Sequence, residues 1–600
     1  MCGIAGIVGY DLDASPVQPI ELLQIRDHMV RRGPDSSGVW ISHDGRVGLA
    51  HRRLTIIDLS DAGAQPMSTP DGKVRIVFNG EIYNYREIRD DLECRGYRFR
   101  SSSDTEVLLY LYVEKGRDFL NDLQGMYALA LWDENKQGLL LARDPYGIKP
   151  LYYSDNGTQV RFASQVKALL ASGTIDTSPD PAGHVGFFLW GHMPPRNTLY
   201  RNIKELPAGH LLWIDASGIR VEKPFCEIVD EIRRYSRQRP EISPEEACER
   251  LHQALRDSVK KHLIADVEVS TFLSAGLDSS LVLALGMESS NRSLKAITMA
   301  FPEYRDTEMD EAPAARTIAQ YYNAEHRVPQ VDPKNFQDEL PSMLKAMDQP
   351  TIDGINTYCV SKVASGMGVK VALSGLGGDE IFGGYPSFQS IPMSVRKLHA
   401  FRPNSGFGKG FRWVSAPIIK RFTSVKYAGL FEYGGSYAGA YLLRRGLFMP
   451  WELPRLLDPD MVRDGWNELQ TLAALNETIR GIDSDHCTVA ALEMTWYMRN
   501  QLLRDADWAG MAHSLEIRVP LVDIQLLRDL APLMWTDRPP TKRDAARSLS
   551  KPLPESIVNR PKTGFNVPVR EWLIGTHGSQ FIEPGYRSWA KYIYKSFCGN

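Results

Sequence analysis

Position 2 is a cysteine, followed directly by Gly3-Ile4-Ala5-Gly6-Ile7-Val8-Gly9. Removal of Met1 before this small residue would make Cys2 the N-terminal residue and give it a free α-amino group. With a pKa of about 8, that amine can act as general base for the thiol of the same residue, so no histidine partner is required. Near the middle of the chain, Leu273-Ser274-Ala275-Gly276-Leu277-Asp278-Ser279-Ser280 offers different chemistry. A small-residue turn opening a helix points successive backbone N–H groups at one spot, where the helix dipole also favours an anion. The hydroxyls of Ser274, Ser279 and Ser280 suit a pyrophosphate. Asp278 would repel that anion unless a divalent cation lay between them, so the loop implies Mg²⁺. A second glycine-rich turn, Ser374-Gly375-Leu376-Gly377-Gly378-Asp379-Glu380, also ends in acids. Two such turns fit a metal–triphosphate site at the C-terminal edge of a parallel sheet.

Elements of matching type surround these residues. Ala265–Phe272 and Val369–Leu373 read as strands that feed the two turns, and Leu281–Gly286 reads as the helix after the first. Ala296–Phe301 predicts a further strand, and Asp310-Glu311-Ala312 opens another helix. This alternation predicts a doubly wound parallel α/β core. Nearer the N-terminus, alternating runs such as Val74–Phe78 and Gly138–Ala142 predict paired antiparallel sheets. Between the halves, the charged stretch from Glu227 to Pro244 has little apolar periodicity and reads as a linker. Leu251–Val259 then begins a helical pattern that leads to the central loop.

Four N-terminal stretches stand in order behind Cys2: Arg32-Gly33-Pro34-Asp35, His51-Arg52-Arg53-Leu54, Phe78-Asn79-Gly80-Glu81-Ile82-Tyr83-Asn84 and Ser103-Asp104-Thr105-Glu106. Together they resemble the class II glutamine amidotransferases, the N-terminal-nucleophile glutaminases. The resemblance implies Cys2 as nucleophile, with the Asn79 amide and Gly80 N–H receiving charge from the tetrahedral intermediate. It also implies glutamine binding by Arg53, Ile56, Asn79, Glu81 and Asp104. Arg53 would clamp the α-carboxylate bidentately, and Asp104 with the Glu81 region would answer the ammonium.

Ser274–Ser280 looks like the SGGxDS loop of the ATP pyrophosphatase superfamily, and Ser374–Tyr385 resembles the SGxGGDExFGGY stretch of glutamine-dependent asparagine synthetases. Ser514–Asp523 and Asn559–Phe565 extend the likeness. The resemblance implies ATP contacts from Leu273, Ser274, Gly276, Asp278, Ser279, Ser280, Ser374, Gly375 and Tyr385. It implies Mg²⁺ on Asp278 and Asp379. Lys542, located by its distance from Leu553-Pro554, aligns with a lysine that helps activate the acceptor; the alternative is a surface lysine.

The implied fold is an α+β N-terminal-nucleophile sandwich of antiparallel sheets between helical layers, followed by a doubly wound ATP pyrophosphatase domain. The implied division is 1–225 glutaminase, 226–245 linker and 246–600 synthetase, with a basic and aromatic insertion at about 390–470. The implied reaction uses glutamine and ATP, releases AMP and pyrophosphate, and makes asparagine from aspartate through an acyl-adenylate. Ammonia would cross between the sites by an interior route, in a homodimer.

Two residues depart from the family pattern. Ala275 replaces a glycine, which is tolerated at negative φ and costs about 1–2 kcal/mol at positive φ. Leu376 replaces an acid thought to help deprotonate ammonia, and leucine accepts no proton. This leaves two acceptors open: aspartate with another group taking the proton, or a different carboxylate, such as a surface-polysaccharide uronic acid or a natural-product acid. A silent binding or regulatory homologue would be expected to lose Cys2, Asp278 or Asp379, and all three are present. Amide-forming cyclases on this scaffold usually lack a working Cys2.

Six hundred residues allow two to four domains. A net charge of −3 gives no reason to expect a nucleic-acid partner. No apolar run approaches the roughly 18 residues of a membrane span. No basic and apolar leader is evident at the N-terminus. Seven scattered cysteines without CxxC spacing point to a reducing, cytoplasmic setting and no structural zinc. From Arg396 to Lys426 there are eight Lys/Arg and no acid, interleaved with Phe401, Phe407, Phe411, Trp413 and Phe422. That stretch reads either as a solvated helical insertion or as a patch meeting an anionic substrate, a partner or a membrane surface.

Overall fold

Side chains alternate across a strand, and the Gly3–Gly9 strand uses both of its faces. Ile4 and Val8 enter one apolar cluster, and Ala5 and Ile7 enter another. In the computed structural model, which describes residues 2–215, 220–236, 240–290, 293–331, 333–399, 406–561 and 586–599, this strand is central to a six-stranded antiparallel sheet. Its order is Lys204–Glu205, Tyr152–Asp155, Gln159–Ala163, Gly3–Gly9, Val47–Arg53 and Ser36–Ile41. A second six-stranded sheet runs Arg220–Pro224, His210–Asp215, Gly138–Arg143, Gly125–Asp133, Val74–Ile82 and Met67–Ser68.

The two sheets pack face to face through Ile4, Val8 and Leu49 on one side and Val77, Ala130, Leu139 and Leu141 on the other. Helix Pro19–His28 covers the outer face of the first sheet through Leu22 and Ile25. Helices Tyr85–Cys94 and Asp104–Lys115 cover the second through Leu92, Val107 and Leu108. Antiparallel sheets between helical layers are the predicted arrangement.

The second half holds a five-stranded, all-parallel sheet in the order Glu325–Arg327, Lys295–Ile297, Val269–Phe272, Val371–Leu373 and Glu516–Arg518. Parallel strands are buried on both faces, and Val371, Ala372 and Leu373 have no exposed surface. Strand order reverses direction at Val269–Phe272, which makes the crevice beside its C-terminal end a topological switch point. Both glycine-rich turns leave the sheet there. One apolar cluster continues from the helices over the second sheet, through Tyr83, Ile228 and Leu255, to Val371 and Leu515, so the halves share a core.

Several elements differ from expectation. The strands before the two turns are short, at Val269–Phe272 and Val371–Leu373, because their parallel partners pair only with those residues. Lys295–Ile297 replaces the longer strand expected over Ala296–Phe301. The predicted linker contains a helix, Ile228–Arg233, whose Ile228 and Ile232 are buried. Trp535 Nε1 donates to the Ile232 carbonyl at 2.7 Å, and Arg528 Nε donates to Glu231 Oε1 at 3.0 Å, so this connection is docked on the synthetase half. The insertion also contributes to the interior. Tyr441, Leu442 and Phe448 share a cluster with Phe187, Phe188 and Trp190 of the N-terminal half. Phe401 and the Lys562–Phe565 end of the family-like stretch lie outside the described residues. No described helix is long and apolar enough to cross a membrane.

Candidate active sites

Cys2 immediately precedes the Gly3–Gly9 strand, and its N atom lies 3.0 Å from Asn79 Oδ1 on the facing sheet. Asn79 is wholly buried, and its Nδ2 has no hydrogen-bond partner among the described residues. Such an orphaned donor costs roughly 1–3 kcal/mol, which an arriving oxyanion would recover. Gly80 lies beside it. On the same strand the Phe78 and Ile82 amides donate off the sheet edge, to Gln65 Oε1 at 2.6 Å and Asp104 Oδ2 at 3.0 Å. Strand alternation sends the Gly80 N–H in the same direction. A β-carbon at Gly80 would sit 2.1 Å from the Met126 carbonyl oxygen, so only glycine fits.

Arg53 ends the Val47–Arg53 strand, and its guanidinium is held by the carbonyls of Ile57, Asp58 and Ser60. Burial raises the Cys2 thiol above its ordinary value against the pull of nearby positive charge, so a thiol acting as nucleophile here would need a base. His51 does not supply one. Its Nε2 sits 3.2 Å from the Phe78 carbonyl, and burial pushes its imidazole down to about 3.

Asp104 opens helix Asp104–Lys115, and burial raises its carboxyl to about 6. The sign fixes a pH dependence: below that value Asp104 is neutral, and the negative charge it could offer a bound cation is lost. We expect kcat/KM for glutamine hydrolysis to fall as pH drops through about 6, mainly through KM. Glutamate release measured from pH 5 to 8 checks this, and Asp104→Asn should remove the step.

In the second half, the Ser274 N–H donates to Ser279 Oγ at 3.1 Å, and Ser280 Oγ donates to the Gly276 carbonyl at 2.7 Å. These bonds curl the turn around the N-terminus of helix Leu277–Ser289. The second turn fits closely against the first. A β-carbon at Gly375 would lie 2.7 Å from Ser279 N, and one at Gly378 would lie 2.3 Å from Asp278 Oδ1. Leu273, Ser274, Gly276, Asp278, Ser279, Ser374, Gly375, Asp379 and Tyr385 line one cavity of about 800 Å³. Ser280 lies behind this wall, fully buried.

Ala275 has φ +54° and is buried, which is the unfavourable case for a β-carbon. Ala275→Gly should relieve the strain and lose part of the gain to unfolded-chain entropy, a net stabilisation of about 0.5–1 kcal/mol. A higher urea midpoint for the synthetase half would bear this out; an unchanged or lower one would show that the turn carries no strain.

Lys542 is not a surface lysine. It begins helix Lys542–Ser548, fixed by a reciprocal Thr541–Asp544 cap, and its ammonium bridges the carboxylates of Asp278 and Asp379. Burial would lower its pKa, but the two carboxylates outweigh it and hold the ammonium charged. Two carboxylates converging at the phosphate turns suit Mg²⁺, which binds through one or two acids and completes its shell with phosphate oxygens and water. Among the described residues no group of three or more His, Cys, Asp or Glu could cage a metal alone, so the donor set fits a nucleotide-borne ion.

Leu376 lines the same cavity. Tyr385 and Tyr497 form a neighbouring wall, with the Arg445 guanidinium 4.6 Å and 3.7 Å from their ring centroids. Tyr385 donates to Glu380 Oε1 at 3.0 Å; burial, with Asp379 and Glu493 nearby, pushes the Glu380 carboxyl up to about 8.

Two arginines connect the sites. Arg32 Nε donates to the Cys2 carbonyl at 3.1 Å, while its Nη1 and Nη2 grip Asp507 of the synthetase half at 2.7 and 3.0 Å. Arg518 reaches the other way. Its carbonyl accepts from Ser374 N at 2.8 Å, and its Nη2 lies 3.3 Å from Glu81 Oε2. Burial and the nearby Glu516 push the Glu81 carboxyl up. Ile56 adds a third tie, its carbonyl accepting from Asp266 N at 2.9 Å. Over Glu493–Leu503 the helix widens to i→i+5 bonding, a feature frequent at functional sites. It turns Tyr497 toward the ATP-side cavity and Arg499 toward the carbonyls of Pro145 and Tyr146. A small cavity between the halves is walled by Arg32, Ser164, His192, Asp348, Asn500 and Asp507. Arg32 and Arg518 fall in stretches that carried the family likeness, but nothing in sequence joined Arg32 to Asp507 or Arg518 to Glu81, and nothing marked Tyr497.

Comparison with known proteins agrees with this two-site layout. Residues 1–226 match the glutamine amidotransferase domain family, and residues 250–593 match the asparagine synthase family. Asparagine synthetase [glutamine-hydrolyzing] 1 of Bacillus subtilis is 33% identical, covering 96% of this chain and 88% of the relative. A putative asparagine synthetase [glutamine-hydrolyzing] of Mycobacterium tuberculosis is 32% identical over the same shares. Asparagine synthetase B of Escherichia coli is 33% identical over 66% of this chain and 67% of its own length. The chain belongs to the glutamine-hydrolysing asparagine synthetase family.

Proposed function

We propose that the protein moves the side-chain amide nitrogen of glutamine onto the side-chain carboxylate of aspartate, forming asparagine and consuming ATP. The observation carrying this reading is the pairing, in one chain, of a Cys2–Asn79–Gly80 centre with two phosphate turns that meet at Lys542.

In the first half-reaction, the α-amine of processed Cys2 takes the thiol proton, and sulfur attacks the glutamine amide carbon. Asn79 Nδ2 and Gly80 N–H receive the oxyanion, while Arg53 and Asp104 hold the α-carboxylate and α-ammonium. The α-ammonium returns its proton to the departing nitrogen, ammonia leaves, and water hydrolyses the thioester to glutamate.

In the second, an oxygen of the aspartate side chain attacks the α-phosphorus of ATP, and pyrophosphate departs into the Ser274–Ser280 turn. Mg²⁺ held by Asp278 and Asp379 would supply neutralisation of phosphate charge. Lys542 adds a fixed cation beside the reacting groups. Ammonia then attacks the acyl carbon, AMP leaves, and the nitrogen loses a proton to form the amide. Leu376 cannot take that proton, so a different acceptor serves in this chain.

Ammonium is a poor nucleophile at neutral pH, which favours transfer through the protein interior. The cavity beside Arg32 and Asp507 supports such a route. This reading assigns residues 1–225 to glutamine hydrolysis and 246–600 to synthesis.

The test measures pyrophosphate release and product with ATP, glutamine and either L-aspartate or a panel of sugar and amino-sugar carboxylates. Aspartate-dependent release with asparagine as product is the expected result. Silence with aspartate together with turnover of another acid would overturn the acceptor while leaving the two half-reactions in place.

A further inference from the structure

In helix Gly406–Phe422, Phe411 packs edge-on against Phe431 with ring centroids 4.7 Å apart. Gly408 meets the backbone of Phe431 and Glu432 so closely that a β-carbon would lie 2.9 Å from both. Arg412 Nε donates to the buried Glu432 at 2.7 Å, and its guanidinium lies over the Trp451 ring, 4.4 Å from the centroid. These contacts anchor the helix near its N-terminal end.

The outward side is apolar. Trp413 is 82% exposed, Val414 65%, Ile418 61% and Phe422 82%. At 100° per residue these four span about half of the helical surface; Gly408 and Arg412 lie outside that arc, while Phe411, more than a turn nearer the N-terminus than Ile418, projects within it. Exposed Arg421 stands on the same half, exposed Lys409 lies about 40° outside it beside Trp413, and exposed Lys397 precedes them on helix Ser387–Leu398. Arg396, Arg412 and Lys426, by contrast, have partners inside the protein. Charge is segregated along the chain: removing the eight cations of Arg396–Lys426 leaves 62 Lys/Arg against all 73 Asp/Glu, a net −11. The stretch Arg396–Lys426 is thus a basic island on an otherwise acidic chain.

We propose that this helix seats the protein reversibly on an anionic membrane surface, with Trp413, Val414, Ile418 and Phe422 entering the headgroup boundary. Large apolar side chains flanked by lysine and arginine are what an interfacial helix needs, and anionic lipid supplies the opposite charge. The shape agrees. The apolar groups are exposed along a single helix and so are suited to insertion. A second copy of the same face would set Lys409 and Arg421 against like charges.

The experiment is sedimentation of the full-length protein with phosphatidylcholine vesicles and with vesicles containing phosphatidylglycerol. We expect binding to the anionic vesicles, weakened by salt, and little to the neutral ones. Trp413→Ser/Ile418→Ser/Phe422→Ser and, separately, Lys409→Glu/Arg421→Glu should each lower the bound fraction at least about tenfold. None of these residues touches either candidate active site, so unchanged glutaminase turnover would show that the variants are folded. Equal binding of wild type and folded variants would overturn the proposal. So would absence of vesicle binding, including the case where the apolar variant instead abolishes self-association, which would make this face a contact between copies.

Discussion

Replacing Cys2 with alanine is expected to abolish glutamine hydrolysis, by more than about 10³-fold, while ammonium salts still support amide synthesis. The chemical reason is local. The substitution removes the sulfur that forms the thioester but leaves the backbone contacts of residue 2. Arg32 bonds to the Cys2 carbonyl and Asn79 to its nitrogen, and neither contact uses the side chain. The Arg32–Asp507 pair, buried at 2% and 5% side-chain exposure, should therefore hold the halves together in the variant. Pyrophosphate release driven by ammonia is then a control for folding as well as a second readout. Intact-mass measurement should show Met1 removed from both proteins, since alanine is also small. Glutamine-dependent synthesis surviving in the variant would end the assignment of Cys2 as nucleophile. Loss of ammonia-dependent synthesis as well would instead make residue 2 part of the contact between sites.

The chemistry that lies on contiguous stretches was legible in sequence; the chemistry made by folding was not. Asn79 and Gly80 are neighbours on one strand, and a strand edge can use a side chain and the next amide together, so these two residues carry the reading. Both glycine turns could be read for the same reason, including the need for small residues where they pack on each other. Arg32 and Asp507 are 475 positions apart, and no local pattern joins them. Arg518 is equally opaque, because its role depends on a strand that passes beside Glu81 only once both sheets exist. Helix Ile228–Arg233 was hidden by composition: two apolar residues four apart among charges do not make a convincing period. At Ala275 the sequence defines the question but not the sign of φ, which the packing of two turns decides. The outward apolar face of Gly406–Phe422 has the same character. Residue types show a basic, aromatic stretch, but only the folded surface shows which of its side chains meet solvent.

Lys542→Met should lower ATP-dependent pyrophosphate release by about 10²–10⁴-fold and leave glutamine hydrolysis near wild type. The expected loss follows from the position of the ammonium, bonded to Asp278 and Asp379 where both phosphate turns end. A fixed cation there offsets charge that grows as pyrophosphate separates, and the cavity wall shields it from bulk water. Methionine keeps much of the chain length but supplies no charge. The two carboxylates would then face each other without their shared partner, and like charges at that spacing favour protonation of one. This yields a readout independent of turnover. In the wild type an incoming Mg²⁺ must compete with the Lys542 ammonium for Asp278 and Asp379; in the variant it would not. Mg²⁺ alone should therefore raise the thermal midpoint of the variant more than that of the wild type. Lys542→Arg keeps the charge, but its planar fork is wider than an ammonium, so only partial recovery of turnover is expected. A variant that releases pyrophosphate at the wild-type rate would show that the lysine serves only to pair the acids. Equal Mg²⁺ stabilisation in both proteins would show that the metal and the ammonium do not share these two carboxylates.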